Sequence, residues 1–320
     1  MFLAILATVV GLAALAWSAD RFVDGAAAVA RYLGMPSLLV GMLVIGFGTS
    51  APELVVSGFA AAGGQPELAF GNALGSSIAN IGLILGVTAI VTPVLVHRGI
   101  VRKELPVLLG VTVLLGVLML DRQLSRADAV VLVVVLAALI TWSILEARRA
   151  PGDSLAKDVE AEAVEHPLSR KAAWIWLGAG LVMLVISSRV LVWGAVGIAT
   201  ELGWSELVIG LTVVALGTSA PELASSIAAA RKGQNDLALG NVIGSNLFNT
   251  LGVVGLAGLI APAGVSSELL TRDIPVALAF ALALVLFALW PLGRGRVTRI
   301  EGGLLVIGYV VYMAVLFATA

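Results

Sequence analysis

Two glutamates, Glu53 and Glu222, each follow a proline inside a long apolar stretch, within one heptapeptide present twice: Gly48-Thr49-Ser50-Ala51-Pro52-Glu53-Leu54 and Gly217-Thr218-Ser219-Ala220-Pro221-Glu222-Leu223. A carboxylate at bilayer depth is costly unless it faces a partner or a wet cavity, so it marks a functional site by default. Proline removes a backbone donor and pushes out the carbonyl four residues earlier, here Gly48 and Gly217. The motif therefore predicts a kinked helix, and carbonyls freed at membrane depth are tolerated only where they line a cavity or are buried in protein. Thr49, Ser50, Thr218 and Ser219 precede the glutamates by three or four residues and share their face. A second motif, Gly71-Asn72 through Gly75-Ser76 to Asn80, recurs as Gly240-Asn241 through Gly244-Ser245 to Asn249. Ser76 and Asn80 share one helix face, as Ser245 and Asn249 do. Carboxylates, hydroxyls, amides and carbonyls together make an all-oxygen site for a hard cation. Ca2+ suits it, taking about six to eight oxygens in flexible geometry, whereas Mg2+ demands a tighter octahedron. Two glutamate charges balance one divalent ion, and the same pocket can hold monovalent ions such as Na+ instead, which is a physical basis for exchange.

The elements that position these residues are membrane helices. The chain has 320 residues, 60% hydrophobic and only 12% charged, with a mean hydropathy of +1.06, whereas soluble domains are about a quarter charged. Soluble enzymes and single-pass anchors are excluded. There is no cysteine, and His97 and His166 fall in polar loops, so a soft-metal site is not expected. Neither a cofactor nor a nucleic-acid partner is expected. The N-terminal apolar run lacks a basic leader and a cleavage site, and is read as a retained first helix. Apolar windows place spans at 2–30, 37–61, 67–90, 104–120, 128–147, 171–200, 206–230, 237–260, 274–291 and 301–319. The expected fold is an all-α polytopic membrane protein with ten transmembrane helices as two inverted five-helix repeats: 1–147, a cytoplasmic linker at 148–170, and 171–320.

The repeat is visible without a gap. Residues 34–86 align on 203–255 at a constant offset of 169, with 24 of 53 positions identical. Five helices per copy is odd, so the second copy enters the membrane the other way round, with a site expected where the copies meet at mid-membrane. With both termini outside, inward loops collect 14 Lys and Arg against 3 in outward loops, the bias that sets orientation. Gly71, Gly75, Gly240 and Gly244 read as close-packing positions. Asn72 and Asn241 fit helix bridging and ion binding equally. Asp20, Arg21 and Asp24, near the inner end of the first helix and able to pair with one another, read as structural or gating residues.

The doubled motifs resemble the alpha-repeats of the cation/Ca2+ exchanger superfamily, specifically its prokaryotic Na+/Ca2+ exchangers. That resemblance implies secondary antiport of Na+ and Ca2+ across the cell (inner) membrane, electrogenic and without an enzymatic step, through a core of the second, third, seventh and eighth helices across which the first and sixth slide. It implies a Ca2+ site at Glu53, Glu222, Thr49 and Thr218. Flanking Na+ sites map to Ser50, Ser76, Ser219 and Ser245, with backbone oxygens near Gly46 and Ala215. Some relatives carry Asp at a position equivalent to Asn80 or Asn249; Asn at both keeps the pocket at two formal charges and argues against K+ co-transport. Serines after the Gly-Asn motifs, where proton-coupled relatives tend to be acidic, favour Na+ coupling over an H+/Ca2+ antiporter of the same architecture. A cation channel is the more distant alternative. The short 148–170 linker leaves no room for the regulatory Ca2+-binding domains of animal exchangers.

Overall fold

The computed structural model describes residues 1–149, 168–202, 217, 219–289 and 295–319. Apart from two minimal β pairs, the regular elements described are helices. The chain opens with α1 (Phe2–Leu33). The second predicted span is a bent pair, α2 (Leu38–Thr49) and α3 (Ala51–Ala62), meeting at 45°. There follow α4 (Pro66–Val91), α5 (Glu104–Leu118), α6 (Arg126–Arg149), α7 (Arg170–Glu201), α8 (Ala220–Arg231), α9 (Asn235–Ile260), α10 (Leu269–Leu289) and α11 (Arg299–Thr319). Among the described residues seven helices are long and apolar enough to cross a membrane, eight with the bent pair counted as one span. The α5 helix has 15 residues, about 22 Å at 1.5 Å per residue, so it is shorter than a full crossing. The α8 helix is the described part of the predicted 206–230 span, whose first half lies outside the described residues.

Burial sorts the helices. In their most apolar windows α4 and α9 are 72% and 83% buried, against 28% for α1 and 22% for α7. The motif-bearing helices therefore form the centre, and α1 and α7 turn most of their surface outward. Where simple α-helix was expected, α-helix widens to π-helix at Gly41–Gly46, Asn80–Leu85 and Phe248–Val253, directly beside or within the motifs. A π-turn re-aims the side chains after it by inserting one residue, and such turns often mark functional sites.

The helices α1 and α7 cross in close backbone contact, and the contacts obey the same offset of 169. A Cβ on Gly11 would stand 2.6 Å from the Leu191 nitrogen, while one on Gly180 would stand 2.8 Å from Phe22 Cα. Gly25 meets Leu177 as Gly194 meets Thr8. At the centre of the crossing Ser18 Oγ and Ser187 Oγ lie 3.3 Å apart. Only glycine lets the two backbones approach this closely.

Connectors that were assigned to one side of the membrane meet one another. Strand β1 (Val94–Leu95) pairs with β4 (Arg296–Val297), and β2 (Gln123–Leu124) with β3 (Ala263–Gly264). Tyr32 donates to Leu168 O at 2.6 Å, and the N-terminal ammonium bonds Glu201. Asp20, Arg21 and Asp24 do not pair among themselves. Lys232 Nζ instead donates to Asp24 Oδ1 at 2.8 Å and Asp20 O at 2.7 Å, while Arg21 lies over Trp17 and Trp176. Residues four apart share a face and can reach one partner, whereas the next residue points elsewhere.

Candidate cation-binding site

The break between α2 and α3 falls at Ser50, with φ −83° and ψ 3°, and the matching residue Ser219 has φ −89° and ψ 4°. Helical bonding resumes identically beyond each break, Leu54 N to Ser50 O and Leu223 N to Ser219 O, both 3.1 Å. The proline two residues after the break supplies no N–H, so the turn carries no donor there. Each break places its glutamate in the first turn of a new helix, inside the protein: Glu53 is 1% and Glu222 2% exposed.

The two repeats meet at these glutamates. Ser50 Oγ, from the first break, donates to Glu222 Oε1 at 3.2 Å. Both carboxylate oxygens of Glu53, Glu222 Oε2, and both polar atoms of the Asn249 amide are buried with no hydrogen-bond partner. Buried polar groups are almost always satisfied, and a buried carboxylate without a partner is strongly disfavoured. Three of these orphans are acidic oxygens, a donor set that fits a hard cation. No group of three or more His, Cys, Asp or Glu side chains is gathered among the described residues, so a cation held here would draw its other ligands from neutral oxygens. The neutral oxygens expected there from sequence, those of Thr49, Ser50, Ser76, Asn80, Ser219, Ser245 and Asn249, are all buried. Thr218 and Ala215 lie outside the described residues.

Several polar atoms are already committed. The Gly46 carbonyl accepts from Ser50 N at 3.1 Å and from Ser245 Oγ at 3.3 Å. A Cβ at residue 46 would stand 2.9 Å from Ser245 N, so glycine is what allows this cross-repeat contact. Of the carbonyls expected to be freed by proline, that of Gly217 accepts Ser188 Oγ at 2.7 Å; residue 19, the equivalent in the first repeat, is alanine. Asn241 acts as a bridge: Nδ2 lies 3.1 Å from Glu222 O, 3.0 Å from Ser225 Oγ and 2.8 Å from Ser226 Oγ, and Oδ1 accepts from Thr49 Oγ1 at 3.1 Å. Asn72 bonds Ser57 at 3.0 Å as Asn241 bonds Ser226. These asparagines fasten the motif helices together.

Ser57, Ser226 and Ser188 were not among the residues singled out from sequence. Ser57 and Ser226 are identical across the aligned repeat, so the signal for them was present. Ser188 has no such signal, since only its contact with Gly217 reveals it.

The sodium/calcium exchanger protein family model matches residues 3–145 and 172–318. The inner membrane protein YrbG of Escherichia coli is 41% identical over 321 residues, covering 99% of this chain and 98% of that protein. The sodium/calcium exchanger MaX1 of Methanosarcina acetivorans is 30% identical over 343 residues, covering 96% of each. Among solved structures, the sodium-calcium exchanger NCX_Mj soaked with Na+ and Ca2+ superposes with a TM-score of 0.84 at 30% identity, covering 98% of each chain.

Proposed function

This chain belongs to the sodium/calcium exchanger protein family, and from that premise we propose that it exchanges Na+ for Ca2+ by alternating access, electrogenically. It is a multi-pass membrane protein of a cation/Ca2+ antiporter family, not of an enzyme family. The observation that carries the Na+/Ca2+ reading is the bond from Ser50 in the first repeat to Glu222 in the second, with three unpartnered acidic oxygens on Glu53 and Glu222.

In this proposal ten membrane helices form two inverted five-helix repeats, 1–147 and 171–320, joined by a cytoplasmic linker at 148–170, with both termini outside. The shared offset of the α1–α7 crossing contacts and of the two helix breaks supports that arrangement. Ca2+ is held by Glu53, Glu222, Thr49 and Thr218. Na+ takes hydroxyl and carbonyl oxygens of Ser50, Ser76, Ser219, Ser245, Gly46 and Ala215, and Asn80 and Asn249 offer amide oxygens to either ion in the shared pocket. The two carboxylates balance one divalent charge, so Ca2+ and Na+ exclude each other electrostatically from the same pocket. The outward-facing α1 and α7 slide as a pair across the buried core to expose the site to one side and then the other.

Uptake of 45Ca2+ into proteoliposomes tests this. Uptake is expected with an outward Na+ gradient at equal pH. Uptake driven by a pH gradient in the absence of Na+ would instead identify an H+/Ca2+ antiporter.

A further inference from the structure

The two asparagines that end the second motif are equivalent in sequence but not in structure. Asn80 Nδ2 donates to Asn246 Oδ1 at 3.0 Å, across the repeat boundary, and both residues are buried. Asn249, the counterpart of Asn80, has no partner on either end of its amide. The counterpart of Asn246 is Ser77, whose hydroxyl is spent one turn back on its own helix, donating to Ala73 O at 2.9 Å. One repeat thus anchors its carboxamide and the other leaves it loose.

We propose that Asn246 is a positioning residue: by holding the nitrogen end of the Asn80 amide, it fixes the oxygen end as a ligand for the transported cation. This inference rests on the cation site proposed above. An amide has one donor end and one acceptor end, and only the acceptor serves a cation. With its Nδ2 committed to Asn246, the Asn80 oxygen is turned away from Asn246. The Asn80–Leu85 turn packs against α8, the helix that bears Glu222. The far side of Asn246 favours the same orientation. It lines a cavity of about 10 Å3 together with Ser77, Thr112 and Thr250, about the size of one water molecule. The hydroxyl protons of Ser77 and Thr112 already go to Ala73 O and Leu108 O, so their oxygens present acceptors toward that cavity. Acceptors on that side favour the nitrogen of Asn246 there and keep its oxygen on Asn80.

Equilibrium Ca2+ binding to the purified full chain, followed by isothermal titration calorimetry, tests the inference as a two-by-two cycle of Asn246→Ala and Asn80→Asp. Losing the anchoring bond is expected to weaken Ca2+ binding about 3- to 10-fold, the range of one buried hydrogen bond. In the Asn80→Asp background the same Asn246→Ala change is expected to cost less than about 2-fold, because a carboxylate presents an oxygen whichever way it turns. Asn246→Ser, which copies residue 77, is expected to behave like Asn246→Ala and provides the measurement should the alanine variant fold poorly. An equal loss in both backgrounds, or no loss in the Asn80 background, overturns the positioning role while leaving the cation site standing. Absence of saturable Ca2+ binding in the unmodified protein overturns both readings together.

Discussion

Replacing Glu222 by glutamine isolates the charge from the fold, because the structure divides that carboxylate into two unlike halves. Oε1 accepts the Ser50 hydroxyl at 3.2 Å, and Oε2 has no partner. In Glu222→Gln the amide oxygen can keep the Ser50 bond, the volume is unchanged, and only the unpartnered oxygen becomes an NH2 that cannot ligate a cation. A bound divalent ion would then face one carboxylate, that of Glu53. Removing one partner of a buried charge pair costs about 3–5 kcal/mol. At about 1.4 kcal/mol per decade of affinity, Ca2+ binding should fall roughly a hundred- to several-thousand-fold. The assay is 45Ca2+ flux in proteoliposomes as a function of external Ca2+, with thermal unfolding of the same preparation in cation-free buffer. Flux is expected to be lost with the thermal midpoint unchanged. Flux within a few-fold of the unmodified protein, or loss of flux only alongside loss of the fold, would refute the assignment of Glu222 as a cation ligand.

Three further outcomes follow from the same geometry. Ser50→Ala removes the donor to Glu222 Oε1, and because hydrogen bonds to charged groups contribute about 1.5–3 kcal/mol, half-saturation for Ca2+ in the flux assay should shift by roughly 10-fold or more. Gly194→Ala places a Cβ 2.6 Å from the Thr8 backbone nitrogen, an overpacking that costs about 1–3 kcal/mol and should lower the thermal midpoint. Lys232→Ala breaks half-exposed ion pairs to Asp20 and Asp24, each worth about 0–1 kcal/mol, so the thermal midpoint measured by scanning calorimetry should barely move. A large drop there would show that this contact holds α1 to the core.

Much of the site was legible in the sequence because its information is local or duplicated. Proline before glutamate encodes the helix break, and the breaks at Ser50 and Ser219 lie inside the motifs that predicted them. Apolar run length identifies membrane helices, and the doubled Gly-Thr-Ser-Ala-Pro-Glu-Leu and Gly-Asn motifs identify the family. The gapless window of 34–86 stopped short of the full correspondence. The pairs Gly11 and Gly180, Gly25 and Gly194, and Ser18 and Ser187 obey the same offset, but they are scattered among permissive apolar positions where identity carries little weight.

Tertiary structure alone decided which polar atoms remain open to a ligand. Asn72 and Asn241 suited bridging and ion binding equally until the contacts of Asn241 with Glu222, Ser225 and Ser226 showed both ends of its amide in use. The Gly217 carbonyl was expected to be free, yet Ser188 reaches it from α7. Asn80 and Asn249 match in sequence and differ in partners: Asn246 bonds Asn80, whereas its counterpart Ser77 donates to Ala73 O and Asn249 has no partner. The physical reason is common to all of these. Composition and i to i+4 spacing determine where a helix runs, where it breaks and which side chains share a face. Whether a buried donor or acceptor is satisfied depends on which atom of a distant helix comes within about 3 Å, and only the packed chain brings that atom near.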